Sequence, residues 1–185
     1  MSICLKFNLT KYKQFFTPNS YSSLLIQQIT TKNPKTILDL TMGSGNLLFQ
    51  AKTRWPKSKI YGNDIDKECL INNEVLEHTN FEVFNLDMLT TSCITTLKKR
   101  IGEVDVCLGN PPFGLTKLTE EVKEIFRNAE YSIDKSSSEY IETELVFILQ
   151  CLEILKDGGE LISILPDGFF VNNKMKNFRK YLIQK

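Results

Sequence analysis

Two short stretches of this chain carry residue types that could do chemistry. The first is Asp39-Leu40-Thr41-Met42-Gly43-Ser44-Gly45-Asn46, which follows an apolar run and opens a helical one. Gly43 and Gly45 allow close approach of a ligand to the backbone, since no Cβ stands in the way and positive φ is cheap. Asp64 closes the next apolar run, about 20 residues further on, where a carboxylate can accept both hydroxyls of a ribose. The pattern points to a nucleoside ligand, with a plain strand-to-helix turn as the alternative. No third glycine completes a dinucleotide fingerprint, and no Gly-Lys-Ser or Gly-Lys-Thr completes a phosphate loop. A carboxylate at Asp39 repels a pyrophosphate and suits a cation. S-adenosylmethionine, with a sulfonium, an ammonium and a ribose diol, fits those demands.

The second stretch is Asn110-Pro111-Pro112-Phe113-Gly114. Consecutive prolines fix the backbone and withhold two N–H donors, so the loop presents carbonyl acceptors beside the Asn110 side chain. An exocyclic amine has two N–H groups to offer such a pair, and Phe113 supplies a face for an unstacked base. A rigid turn whose Phe belongs to the core is the plainer alternative.

These stretches need a scaffold, and the chain alternates short β-branched runs with helical periods as a parallel α/β sheet requires. Strands are expected over Thr36–Leu40, Lys59–Gly62, Phe81–Phe84, Val104–Leu108 and Glu160–Leu165. Crossover helices are expected over Asn46–Arg54, Lys67–His78, Ser92–Arg100 and Ile141–Lys156. In the last of these, Leu145, Ile148, Leu149, Leu152 and Leu155 recur at helical spacing, and Gly158-Gly159 is expected to stop it. An earlier helix capped by Asn19 or Ser20 should run to about Thr31, with Leu24, Leu25 and Ile29 on its apolar face. From Pro112 to Ser138 a polar excursion with a short helix near Thr119–Asn128 is expected.

The ordered set resembles the motifs of adenine-N6 DNA methyltransferases. It comprises Asp39 to Gly45, then Asn63-Asp64-Ile65-Asp66, then Asn110-Pro111-Pro112-Phe113-Gly114. Gln14-Phe15-Phe16-Thr17-Pro18 resembles the family's N-terminal cofactor motif, and its place ahead of the glycine loop matches the gamma arrangement. The chain is most similar to modification subunits of type I restriction systems, in which a segment like Gly158 to Gly168 follows the catalytic loop. The resemblance implies a Rossmann-like S-adenosylmethionine-dependent fold, a mostly parallel sheet with helices on both faces, here without its last strands. It further implies that Phe16, Thr17 and Pro18 enclose the methionine part of the cofactor. Asp39, Thr41, Gly43 and Gly45 would line its amino-acid end, Asp64 would hold the ribose, and Ile65 would pack on the adenine. Asp87, with Met88 beside it, would accept from the adenine amine. Asn110 and the Pro111 carbonyl would accept from the target adenine N6 next to Pro112, and Phe113 would stack on that flipped base in DNA. A single catalytic domain over residues 1–185 is expected, with the cofactor-motif helix region in 1–34, the α/β core in 35–185 and no target-recognition domain. A specificity subunit, a second methylase subunit or a further C-terminal part would then complete it.

Composition agrees with one globular domain: 185 residues, 42% hydrophobic and 24% charged. Twenty-three basic against 22 acidic side chains leave a net charge of +1, which is poor provision for unaided DNA binding. Basic residues gather in Lys174, Lys176, Arg179, Lys180 and Lys185, suited to phosphate or to a solvated helix. The longest apolar runs fall far short of a membrane span, and neither a secretory signal nor zinc-ligand spacing is visible, so the cytosol is the expected location. Cys4, Cys69, Cys93, Cys107 and Cys151 are expected as reduced core residues, and His78 as a helix end or turn. Methyl transfer to ribosomal RNA or to a protein glutamine is the competing enzymatic reading, and a non-catalytic cofactor-binding subunit the non-enzymatic one.

Overall fold

Alternate residues of each central strand face opposite layers. In the computed structural model, which describes residues 17–71, 81–133 and 139–185, β1 (Thr36–Asp39), β2 (Lys59–Asn63) and β4 (Val104–Gly109) lie side by side and parallel. Ile37, Ile60, Val106 and Leu108 point to one face, where α1 (Asn19–Gln28) and α2 (Asn46–Arg54) cover them. Leu38, Tyr61 and Cys107 point to the other, against α4 (Thr91–Ile101), α5 (Glu120–Asn128) and α6 (Thr143–Ile154). β3 (Phe81–Phe84) and β7 (Leu155–Ser163) complete a five-stranded parallel sheet in the order β3-β2-β1-β4-β7. The direction of winding reverses between β1 and β4, and at such a reversal the loops diverge to leave a crevice at the carboxyl edge.

Each expected strand is present, β3 with the expected bounds and the other four with shifted ends. β1 stops at Asp39 and β4 continues to Gly109. The largest shift concerns Gly158 and Gly159, which do not stop a helix: α6 ends at Ile154, and the chain pairs at once with β4, Leu155 opposite Val104. The register then jumps to Glu160 opposite Val106, so the glycines form a bulge within β7, with Gly158 at φ 75°. α6 begins at Thr143 because Ile141 belongs to β6 (Tyr140–Glu142), which pairs antiparallel with β5 (Leu115–Lys117) in a ribbon the sequence did not signal. The expected short helix is α5, whose first turn is capped by Thr119 Oγ1 accepting from the Val122 N–H at 3.2 Å. Of the helix expected over Lys67–His78, α3 (Lys67–Ile71) lies within the described residues and His78 outside them. Beyond β7, α7 (Asp167–Val171), a 3-10 turn and α8 (Lys176–Ile183) pack Phe169, Met175 and Phe178 onto the α4–α6 side. Arg179 of α8 donates from Nη1 to the carbonyls of Phe169 and Asn172, at 2.8 and 2.9 Å.

Cys69, Cys93, Cys107 and Cys151 are buried free thiols, as expected of core residues, and Cys4 lies outside the described residues. Burial, then the Asp87 carboxylate, pushes the Cys93 thiol up to about 12. No helix among the described residues is long and apolar enough to cross a membrane.

α1 ends earlier than Thr31, and Glu160 explains why. Its carboxylate accepts from the Thr30 N–H at 2.9 Å, the Thr30 hydroxyl at 2.7 Å, the Thr31 N–H at 2.6 Å and the Thr31 hydroxyl. Those N–H groups are thereby withdrawn from the helix, and the segment is tied to β7. Leu24 is left exposed on α1, whereas Ile26 and Ile29 enter the core. Burial opposes ionisation of Glu160, but the hydrogen bonds from Thr31 and Thr30 outweigh it and bring its pKa down to about 2. A depressed carboxylate stabilises the fold above its unfolded pKa, and that contribution disappears as pH falls through the folded value. Glu160→Gln should therefore lower the melting temperature by several degrees at neutral pH. The gap to the natural chain should close as pH is lowered from 4.5 towards about 2, as followed by circular dichroism.

Candidate functional site

The carboxyl edge at the β1/β4 reversal holds an open cleft of about 250 Å³. Thr17, Asp39, Thr41, Gly43 and Asn110 line it, five of the residues singled out from the sequence. Met42, Ser44, Asn46 and Leu47 complete the wall, and of these the polar Ser44 and Asn46 were missed. Asn46 ties two motifs together, since its Nδ2 donates to the Thr17 carbonyl at 2.8 Å and holds the N-terminal segment against the glycine loop. Gly43 and Gly45 both have positive φ, 50° and 77°, and Gly45 starts α2 from that left-handed geometry.

Asp39 is 1% exposed. One oxygen accepts from the Thr41 N–H at 3.0 Å, and Oδ2 has no partner among the described residues. Thr41 Oγ1 is likewise buried without one. Desolvation raises the Asp39 pKa to about 8, against the opposing Thr41 N–H, and the Asp64 carboxylate adds to the rise. A buried carboxyl with one unused oxygen, beside an unused hydroxyl in an open cleft, is a receptor waiting for a donor of positive charge.

Asp64 stands one strand away and is 7% exposed. Its Oδ2 accepts from the Gly43 N–H at 2.8 Å and its Oδ1 from the Asp66 N–H at 2.9 Å, which links the β2 edge to the glycine loop. Each carboxylate oxygen can accept twice, so capacity remains on both. Burial raises its pKa, the Asp66 and Gly43 N–H groups counter that, and the Asp66 carboxylate reinforces it. Asn63, quoted within the second motif but given no role there, holds the three early strand ends in place. Its Nδ2 donates to the carbonyls of Leu40 and Leu86 at 3.0 and 3.1 Å, and its Oδ1 accepts from the Leu86 N–H at 3.0 Å. Asn85 does the same for the turn, donating to the carbonyls of Asp64 and Ile65. Ile65 itself is 44% exposed, an apolar side chain held out at the edge of the site.

Gly45, Asp64, Ile65, Asp87, Met88, Pro111, Pro112 and Phe113 do not line the cleft. Asp87 Oδ1 accepts from the Leu89 N–H, while Met88 is buried in the core cluster. Pro111 is buried and Phe113 half-buried. Pro18 is exposed, and Phe16 lies outside the described residues. A Cβ on Gly109, just ahead of Asn110, would overlap the Phe147 ring of α6, so the strand end can reach its position only without a side chain.

A sheet of this order, with a glycine loop after β1, an acid after β2 and the cleft at the reversal, defines the Rossmann-like class of folds, whose crevice takes nucleoside cofactors. Comparison narrows the class: the N-6 DNA Methylase family model matches residues 6–185, and the chain belongs to that family of S-adenosylmethionine-dependent methyltransferases. It is 29% identical over 176 residues to the type II methyltransferase M.HincII of Haemophilus influenzae, across 92% of this chain and 31% of that protein. It is 26% identical over 191 residues to the type I restriction enzyme EcoEI methylase subunit of Escherichia coli, across 92% and 36%. The chain thus spans about a third of the length of these curated relatives. In fold it is similar to the methyltransferase subunit of a type I restriction-modification system from Streptococcus thermophilus. That match has a TM-score of 0.69 and 24% identity, over 92% of this chain and 38% of that one. The EcoKI M protein also matches, with a TM-score of 0.55 and 13% identity, over 92% and 37%.

The buried Asp39 has a consequence for stability. An acid whose folded pKa is raised favours the fold below its unfolded value, and the advantage is lost as pH rises through the folded value, here from 3.8 to about 8. The natural chain should lose several degrees of melting temperature across that window. Asp39→Asn should flatten the slope and melt higher than the natural chain at about pH 8.

Proposed function

We propose that this chain is the cofactor-binding and base-positioning part of a site-specific DNA methyltransferase of a restriction-modification system, acting on adenine N6. The observation that carries the reading is the unused Asp39 Oδ2 in a cleft shared by Thr17, Gly43 and Asn110. S-adenosylmethionine fits that cleft by charge. Asp39 would hold its ammonium with Thr41 beside it, Asp64 would take the ribose hydroxyls on its remaining lone pairs, and exposed Ile65 would cover the adenine. Asp87, next to Met88, would receive the adenine amine, and Thr17 with Phe16 and Pro18 would close over the methionine part. When bound, this cofactor supplies a methyl group already activated by its sulfonium.

The protein's task is then alignment. Asn110 stands at the end of β4 and lines the same cleft as Asp39, so an acceptor for the incoming amine borders the donor side. Adenine's amine is a weak nucleophile because its lone pair is shared with the ring. With its two hydrogens engaged by the Asn110 side chain and the Pro111 carbonyl, the nitrogen becomes pyramidal and the pair localises. Pro112 keeps the backbone from adding a competing donor, and Phe113 offers a face for the flipped base.

A partner or further chain would supply DNA recognition. β7 is an edge of the sheet among the described residues, and the small net charge leaves phosphate neutralisation to another surface. A specificity subunit, a second methylase subunit or a longer C-terminal part would fit that need.

Calorimetry should show saturable binding of S-adenosylmethionine, lost when Asp64 is replaced by Ala. At about pH 7 binding should release up to one proton as Asp39 ionises, seen as a dependence of the heat on buffer ionisation enthalpy. Labelled methyl groups should appear on adenine N6 of DNA once a specificity subunit is supplied. Transfer to ribosomal RNA or to protein glutamine, with none to DNA, would reverse the assignment.

A further inference from the structure

α6 is apolar on nearly every side, yet it buries Thr143, Glu144 and Gln150. Polar side chains are costly in such a place unless they are employed. Gln150, 3% exposed, donates from Nε2 to the Met88 carbonyl at 2.8 Å and to the Thr90 carbonyl at 2.9 Å. Those carbonyls flank the loop that begins with Asp87, whose own carbonyl accepts from the Thr90 hydroxyl at 2.8 Å. At the other end of the helix, the Thr143 N–H and hydroxyl both donate to the Gly114 carbonyl, at 2.8 and 3.1 Å. One turn further, Phe147 fills the space under Gly109. Both ends of the Asn110–Gly114 loop therefore rest on the first turn and a half of α6, and Glu144 lies between the two contacts in sequence, 6% exposed and with Oε2 unpartnered among the described residues.

We propose that α6 is a brace shared by the two halves of the site, with Gln150 positioning the Asp87–Thr90 loop and Glu144 positioning the Asn110–Gly114 loop. The assignment of those loops to cofactor and target base rests on the function proposed above; their shared support does not. Burial raises the Glu144 pKa and the neighbouring Glu142 carboxylate of β6 adds to the rise, while its own N–H and that of Gly114 act against it, the Gly114 N–H being the contact that ties the carboxyl to the loop.

The test uses the full chain labelled with ¹⁵N, with calorimetry of S-adenosylmethionine binding alongside. Gln150→Leu should weaken that binding about tenfold and move the amide signals of residues 87–90, with Gly114 unmoved. Glu144→Ala should move the Gly114 amide and leave cofactor affinity within about twofold. Glu144→Gln, a neutral side chain of the same shape, should restore the natural Gly114 signal. Should Gln150→Leu not fold, Gln150→Glu keeps the shape, offers no N–H donors and should give the same signature. Equal disturbance of both loops by each variant, or a fall in melting temperature with neither loop moved, would overturn the proposal. A natural chain that fails to bind the cofactor would count against the proposed function instead, and the amide signals would still decide the role of α6.

Discussion

A single unfavourable solvation term organises this molecule: a carboxyl is held at the end of β1 where almost no water reaches it. Asp39 ends a strand paired on both sides, opposite Gly62 and Leu108, and among the described residues its side chain accepts from the Thr41 N–H alone. Everything nearby is arranged around that cost. Gly43 and Gly45 bend the chain out of the way, Asn46 draws in Thr17, and Asp64 is secured by the Gly43 N–H of the glycine loop together with that of Asp66. Burial raises the pKa of both acids, with the Asp64 carboxylate adding to the rise at Asp39 and the Asp66 carboxylate to that at Asp64, so the pocket is more acidic in composition than in charge.

The sheet supplies positional accuracy through side chains that contact no ligand. Asn63 bridges the ends of three strands with three hydrogen bonds, and an Ala there would leave two carbonyls and an N–H unsatisfied in a buried place. Such residues fix the loops far better than the loops could fix themselves, since isolated turns of this length have little stability of their own. The same division holds across the molecule. Strands and buried helices carry the packing, and the cleft is lined mainly by the short connections at the strands' carboxyl ends.

Much of this was readable in the residues. Strand cores carry a period and the glycine loop a conformational requirement, and the strands and the positive-φ glycines lie where those signals indicated, with Asp64 and Asn110 directly after β2 and β4. What escaped was of another kind. Asn63, Glu144, Gln150 and Gly109 matter only through partners distant in sequence, and a lone polar residue in an apolar helix looks like a solvated position until the helix is seen to be covered on all sides. Gly158 and Gly159 misled for a related reason. Paired glycines after a helical period usually end a helix, but here the chain had already left it at Ile154, and β4 claimed them for its register. The end of α1 was set by Glu160, an acid about 130 residues away, which no local rule could weigh.

The β5–β6 ribbon has an effect that reaches past its own small size. Leu115 lies opposite Glu142, and the Gly114 carbonyl is held by Thr143, so the chain leaves the body and rejoins it side by side. Within that stretch α5 returns Val122, Ile125 and Phe126 to the main core. The excursion is thus fastened twice, at its base and through its helix, and changes of length outside α5 cost little entropy while Asn110 keeps its place.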